Sequence, residues 1–246
     1  MRIQKTEIIL NKIPEEDLQV EIQSIISTVK EIILSIEHPV GASIFKINPN
    51  PSKMKNGKID KHPNGVQYIK HQFATEILKL PRWSAETKTI SSNIKYKSLS
   101  KNIATPGWGP LDFCIKIKTK IGQTNKGTLP PPFNYIDHEF VVEWETGNVS
   151  SSHRSINKMI STMFFSNVVG GLLIVPTAEL KQYITDRVGN YEELEPYFPL
   201  WKIQSKNTEF IRGYLEIIGV SYDELDSSIE YLPKGQDGNA YRFQND

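Results

Sequence analysis

Glu143 and Glu145 stand two residues apart in a segment, His138 to Thr146, with the apolar, β-branched character of a strand. Side chains alternate along a strand, so both carboxylates point to one face. Gly147, Asn148 and the serines at 150–152 follow directly and start a helix that carries Arg154, Asn157 and Lys158. A third acid, Asp112, lies on another alternating segment, Leu111 to Lys118, just after Gly109-Pro110. Cutting a phosphodiester needs an activated water, neutralised phosphate charge and a stabilised leaving oxygen. One or two Mg²⁺ ions held by carboxylates supply these. Mg²⁺ prefers oxygen ligands and keeps several waters, so two or three acids on neighbouring strands suffice. In an Asp-then-Glu-x-Lys nuclease layout the Lys position is here Glu145, which leaves Asp112 and Glu143 for metal and Glu145 to orient or deprotonate the attacking water. The same acids could instead lie on a solvated sheet face and pair with lysines, and spacing alone does not decide between the two.

The elements around these residues follow from periodicity. Apolar positions from Asp17 to Glu37 fit a long amphipathic helix ended by His38-Pro39-Val40-Gly41. Asn48 to Gly65 has loop composition, and Val66 to Leu80 reads as a second helix stopped by Pro81. Lys120 to Pro132, with three consecutive prolines, is a connection. Ser150 to Phe165 carries an apolar stripe at Ile156, Met159, Ile160, Met163 and Phe164, with the serines as natural caps. Val168 to Val175 is a nearly continuous apolar run, the mark of a strand covered on both faces. Ala178 to Thr185 and a short piece near Tyr191 to Leu194 read as helical, Phe210 to Val220 is ambiguous, and Leu232 to Asp246 has turn composition. The sum is an α/β chain with a central mixed sheet flanked by helices.

The bulk properties set limits. A chain of 246 residues with 38% apolar and 23% charged content builds one large domain with an ample core. The net charge of +1 argues against a histone-like coat and is silent on a site-specific enzyme. Cys114 is the single cysteine, which excludes an internal disulfide and a cysteine metal cluster. No apolar run reaches a bilayer's thickness and the first residues do not read as a signal peptide, so a reducing cytoplasm is expected.

The block Glu143-Trp-Glu-Thr-Gly-Asn-Val-Ser-Ser-Ser-His-Arg-Ser-Ile-Asn-Lys158 closely resembles the active-site strand and recognition helix of the BamHI-type type II restriction endonucleases. Four more blocks match in order: Asn64-Gly-Val…Ile69-Lys70 with Trp83…Glu86 as the upstream helix, Gly109-Pro-Leu-Asp112, Thr185-Asp-Arg-Val-Gly-Asn-Tyr-Glu-Glu-Leu-Glu-Pro-Tyr-Phe198 and Pro233-Lys-Gly-Gln-Asp-Gly238. The resemblance implies a restriction-endonuclease-like fold. It implies that Glu86, Asp112, Glu143 and the main-chain carbonyl of Trp144 hold Mg²⁺, with Glu145 as the proposed general base. Asn148, Ser150, Arg154, Asp186 and Arg187 match major-groove readers, and Asp237 and Gly238 match a minor-groove segment. Arginine donates twice to guanine and aspartate accepts from cytosine, so the residue types suit that task. Lys70 and Lys158 are expected on phosphates, where contacts give affinity without specificity.

All five major-groove positions keep their type, which implies the palindrome GGATCC, cut after the first G to leave 5′ GATC ends. A palindrome is met most simply by a homodimer. Double-stranded DNA is then the substrate, no membrane partner is expected, and a cognate DNA methyltransferase belongs to the same system. The chain departs from the family pattern in longer 120–132 and 201–232 segments and in Phe164 and Phe165, where the family has charges at its dimer contact. A more apolar dimer contact is expected. Two rivals share much of this chemistry: a structure-selective repair nuclease, and a DNA-binding protein that does not cut.

Overall fold

The computed structural model describes residues 1–13, 15–54, 56–87, 111–120, 135–185, 187–207 and 212–234. The chain runs through β1 (Arg2–Lys12), α1 (Glu16–Ser35), the two-residue strands β2 (Lys46–Ile47), β3 (Ser52–Lys53) and β4 (Ile59–Asp60), and then α2 (Gln67–Ile77). β5 (Trp83–Thr87), β6 (Leu111–Lys120), β7 (Tyr135–Trp144), α3 (Val149–Phe165) and β8 (Val168–Pro176) follow. The short helices α4 (Ala178–Lys181) and α5 (Tyr191–Leu194) precede α6 (Phe198–Asn207), β9 (Gly213–Ser221) and β10 (Glu224–Leu225).

Six strands form one mixed sheet in the order β1-β9-β8-β7-β6-β5. β5, β6 and β7 are antiparallel neighbours, β7, β8 and β9 run parallel, and β1 closes the far edge antiparallel to β9. The parallel pair β7–β8 requires a crossover, and α3 is that crossover. β8 and β7 are the two central strands, and β8 and its neighbour β9 are buried almost throughout. This agrees with the nearly continuous apolar reading of Val168 to Val175.

Two apolar layers cover the sheet. On one face Ile22, Ile26, Val29 and Ile33 of α1 and Ile69, Phe73 and Ile77 of α2 pack against Phe113, Ile115, Phe140, Val142 and Trp144. On the other, Ile156 and Met159 of α3, Leu194 of α5 and Trp201 of α6 pack against Val141, Leu173 and Ile217. The odd–even split of β7 between these layers is the strand period at work: Phe140, Val142 and Trp144 go one way, Val141 and Glu143 the other. No described helix is long and apolar enough to cross a membrane.

Several expectations are corrected. Trp83 to Glu86 is not part of an upstream helix: it is edge strand β5, with Trp83 opposite Ile115. β7 ends at Trp144, so Glu145 lies just beyond the strand. The ambiguous Phe210 to Val220 segment is a strand from Gly213, because its side chains are covered on both faces and need no period. The helix at Ala178 stops at Lys181, and Ile184 then bridges to Asn64. The cap of α3 is Asn148, whose Oδ1 accepts the Ser151 N–H at 3.1 Å, and Ser150 to Ser152 lie inside the first turn. The Lys120 to Pro132 connection, beyond Lys120 itself, lies outside the described residues, as does the tail after Lys234.

Candidate active site

Asp112 and Glu143 face one another across the open end of the β6–β7 pair. The ladder pairs Phe113 with Val142, and one further step in that register sets Asp112 opposite Glu143. There the ladder changes character: the Trp144 N–H donates to Asp112 Oδ2 at 2.9 Å rather than to a carbonyl. A strand residue directs its N–H and C=O to the same side, so the Trp144 carbonyl also points toward the Asp112 side.

Each carboxylate is held by a lysine from an opposite layer. Lys70 Nζ of α2 lies 2.8 Å from Asp112 Oδ2, and Lys158 Nζ of α3 lies 3.0 Å from Glu143 Oε1. Glu143 is buried, and burial raises its carboxyl pKa far above the ordinary value, to about 8, with the neighbouring Asp112 adding to the rise and Lys158 opposing it. Lys158, expected on a phosphate, is instead a buried partner of an acid. It lies three residues after Ser155 on the inward flank of α3, and that spacing was the available signal.

Glu145 leaves the strand toward the same helix. Its Oε1 accepts the Gly147 N–H at 2.7 Å and its Oε2 accepts the Ser155 hydroxyl at 3.1 Å. Glu143 and Glu145 therefore both engage the inward flank of α3. The backbone of Glu86 is on β5, next to β6 in the sheet, while its side chain lies outside the described residues.

The donor set decides which ion suits the site. It consists of two facing carboxylates and a main-chain carbonyl, all oxygen, and among the described residues no three His, Cys, Asp or Glu side chains cluster. That set lacks the histidine and cysteine ligands that dominate zinc sites. It does suit a hard divalent cation that retains several waters. Burial first, and Asp112 second, push the Glu143 carboxyl toward protonation even with Lys158 beside it, so a further positive charge would favour its ionised form.

The outer surface of α3 is different in kind. Asn148 at its cap and Ser150, Arg154 and Asn157 along it are exposed. Arg187 is brought to the same helix end: the Gly189 N–H donates to the Gly147 carbonyl at 2.9 Å. A Cβ on Gly189 would lie 2.8 Å from the Val149 backbone, so only glycine permits this approach. Asn148, Ser150 and Arg154 are thus on the exposed side of α3, and the Gly189 backbone brings the chain just after Arg187 to that helix's N-terminal end. Asp186, Asp237 and Gly238 lie outside the described residues, although Asp186 adjoins Arg187 and the chain is followed to Lys234. His153 turns back to the protein, edge-on to Tyr197 at 4.2 Å between ring centres.

The chain is 31% identical over 244 residues to the type II restriction enzyme OkrAI of Oceanobacter kriegii, covering 98% of this chain and all of that one. It is 31% identical over 195 residues to the type II restriction enzyme BamHI of Bacillus amyloliquefaciens, covering 72% of this chain and 84% of that enzyme. Among solved structures, restriction endonuclease BglII bound to a DNA 16-mer is similar with a TM-score of 0.49 and 10% identity, over 89% of this chain and 79% of that one. The family model for restriction endonuclease BamHI matches residues 1–239, and the chain belongs to that family.

Proposed function

We propose that the protein is a homodimeric endonuclease that makes Mg²⁺-dependent double-strand cuts in DNA at the palindrome GGATCC, after the first G, leaving 5′ GATC overhangs. The observation that carries this reading is the pairing of Asp112 with Glu143 at one end of α3's inward flank while Asn148, Ser150 and Arg154 project from its outward one. Acids for phosphodiester chemistry and donors for base edges are thereby mounted on one helix and the strand before it.

Asp112, Glu143 and the Trp144 carbonyl would hold the cation, with Glu86 beside them. When bound it neutralises the phosphate, polarises the phosphorus–oxygen bond and stabilises the leaving 3′ oxygen. Glu145 orients the attacking water and takes its proton on a carboxylate oxygen. Gly147 and Ser155 fix that carboxylate by one hydrogen bond to each oxygen. Lys158 keeps the buried Glu143 in place, and Lys70 sits at the Asp112 edge, where a scissile phosphate would arrive. Arg154 and Arg187 read guanine, Asp186 reads cytosine, and Asn148 and Ser150 complete the major-groove contacts. Asp237 and Gly238 approach the minor groove.

Two-fold symmetry of the palindrome asks for two copies. Leu200 and Ile203, one turn apart on α6, are 52% and 55% exposed, and Phe164 at the end of α3 is 40% exposed. An apolar contact of this kind suits a two-fold dimer, with one active site per strand. The enzyme works in the cytoplasm beside a methyltransferase that protects the same sequence.

The deciding experiment is digestion of phage DNA with Mg²⁺, followed by sequencing of the cut ends. Discrete fragments that all end in 5′ GATC support the reading. Discrete fragments with other ends move the specificity, and a sequence-independent smear or flap cutting replaces it with a repair nuclease. Intact DNA refutes cleavage.

A further inference from the structure

Asn64 is fully buried (0% exposed) and none of its bonds reaches the carboxylate pair. Its amide nitrogen donates to the carbonyls of Asn48 and Tyr183, each at 2.9 Å. Its Oδ1 accepts the Leu232 N–H at 3.0 Å. Its own carbonyl accepts the Thr185 N–H at 3.2 Å, and the next N–H, of Gly65, donates to the Leu232 carbonyl at 3.0 Å. A Cβ on Gly65 would lie 2.1 Å from the Pro233 carbonyl oxygen, so the two backbones meet where only glycine fits.

What these bonds tie together is specific. Tyr183 to Thr185 runs directly into Asp186 and Arg187. Leu232 and Pro233 run into the segment that ends at Gly238. Gly65 leads into α2, which carries Lys70 to Asp112, and whose Gln67 side chain reaches Thr146 Oγ1 at 3.4 Å, just before α3. Asn48 secures the rest of the C-terminal segment through Ile229, whose carbonyl accepts its amide at 2.7 Å. The described residues of the 182–190 and 226–234 segments form no long strand or helix of their own at these points. Their positions are set by the hub. An asparagine amide supplies two donors and an acceptor on one rigid plane, which neither aspartate nor a hydroxyl can match.

We infer that Asn64 is a positioning residue for sequence discrimination, one that fixes the 183–187 and 232–234 segments relative to each other and to the helix bearing Lys70. This rests on the proposed DNA-cutting function. A side chain that merely holds the fold would change stability alone. A positioning residue changes the ratio between correct and incorrect sites, because displaced readers lose bonds only on the correct one.

The test compares wild type with Asn64→Ala and Gly65→Ala, each assayed well below its own melting temperature. kcat/KM is measured on GGATCC and on sites with one altered base pair. The expected result for Asn64→Ala is a preference reduced by about tenfold or more, the scale of one unmade buried hydrogen bond to each reading segment. Gly65→Ala, which pushes on Pro233 and Lys234 and leaves the bonds to Tyr183 and Asn48 in place, should lower the preference less. Equal losses on both kinds of site, or no loss, overturn the inference. If neither variant folds, amide exchange of the wild type in EDTA decides: Gly65, Thr185 and Leu232 should gain protection together with the palindromic duplex and not with a scrambled one. Equal protection by both duplexes refutes the hub. Wild-type protein that cuts neither kind of site removes the function itself, and the exchange result then stands apart from it.

Discussion

Replacing Glu143 by Gln should stabilise the metal-free protein, and by an amount that grows with pH. Burial and Asp112 lift the Glu143 carboxyl from 4.5 to about 8. Between those values the folded chain holds a proton that the unfolded chain releases, so stability falls as pH rises through this window. At about 1.4 kcal/mol per pH unit, the loss is under about 1 kcal/mol near pH 5 and about 3 kcal/mol near pH 7. Glutamine has nearly the same shape and no proton to lose. With its pKa near 8 Glu143 faces Lys158 as a neutral acid across this window, so the substitution removes no charged partner there. The observable is therefore the divergence of two curves, about 2–3 kcal/mol between pH 5 and 7, or roughly 4–12 °C in Tm for a chain of this size. Thermal unfolding in EDTA, followed by fluorescence or calorimetry across the window, measures it. Mg²⁺ should flatten the wild-type curve at high pH and leave Glu143→Gln unmoved. Parallel Tm–pH curves would refute the account of a strained acid pair, and so would a glutamine variant that loses ground as pH rises.

Arg154→Ala should cost about 1–3 kcal/mol in binding to the cognate duplex and relax discrimination at one base pair, as seen in competition assays with single-base variants of the site. Lys70→Ala should weaken binding about equally on all sequences and reduce the slope of log K against log salt by about one. Its failure would be a loss confined to the cognate site. Leu200→Asp with Ile203→Asp should convert the dimer to monomers in sedimentation and abolish paired cuts while leaving the far-ultraviolet spectrum intact. A dimer that survives both charges would put the two-fold contact elsewhere.

The sequence was legible where period and function coincide. β7 is legible because it is covered on both faces, Phe140, Val142 and Trp144 by the α1–α2 layer and Val141 by α3, and Glu143 is the polar interruption in that apolar run. α3 reads as a helix from its stripe at Ile156, Met159 and Met163. β1 was not legible. Register breaks between Ile3 and Lys5 and between Ile8 and Leu10 each shift the alternation by one, so the apolar residues Ile8, Ile9 and Leu10 fall together. β5 is five residues long and reads as the tail of a helix until it is paired. The role of Lys158 depends on which side of α3 is covered, a tertiary fact. Asn64 shows in the sequence only as the start of a matching block; its role was not legible, since its side-chain partners are backbone atoms from three distant stretches and backbone has no sequence.

The parallel β7–α3–β8 crossover has a consequence for anyone who wishes to retarget such an enzyme. Ser155 and Lys158 grip Glu145 and Glu143 from the inward flank of the helix whose outward flank carries Asn148, Ser150 and Arg154. A tilt of a few degrees made to meet new bases would drag the hydrolytic acids with it. With the roles proposed for them, reading head and blade would be one casting, and substitutions that broaden binding on this scaffold should dull cutting before they redirect it.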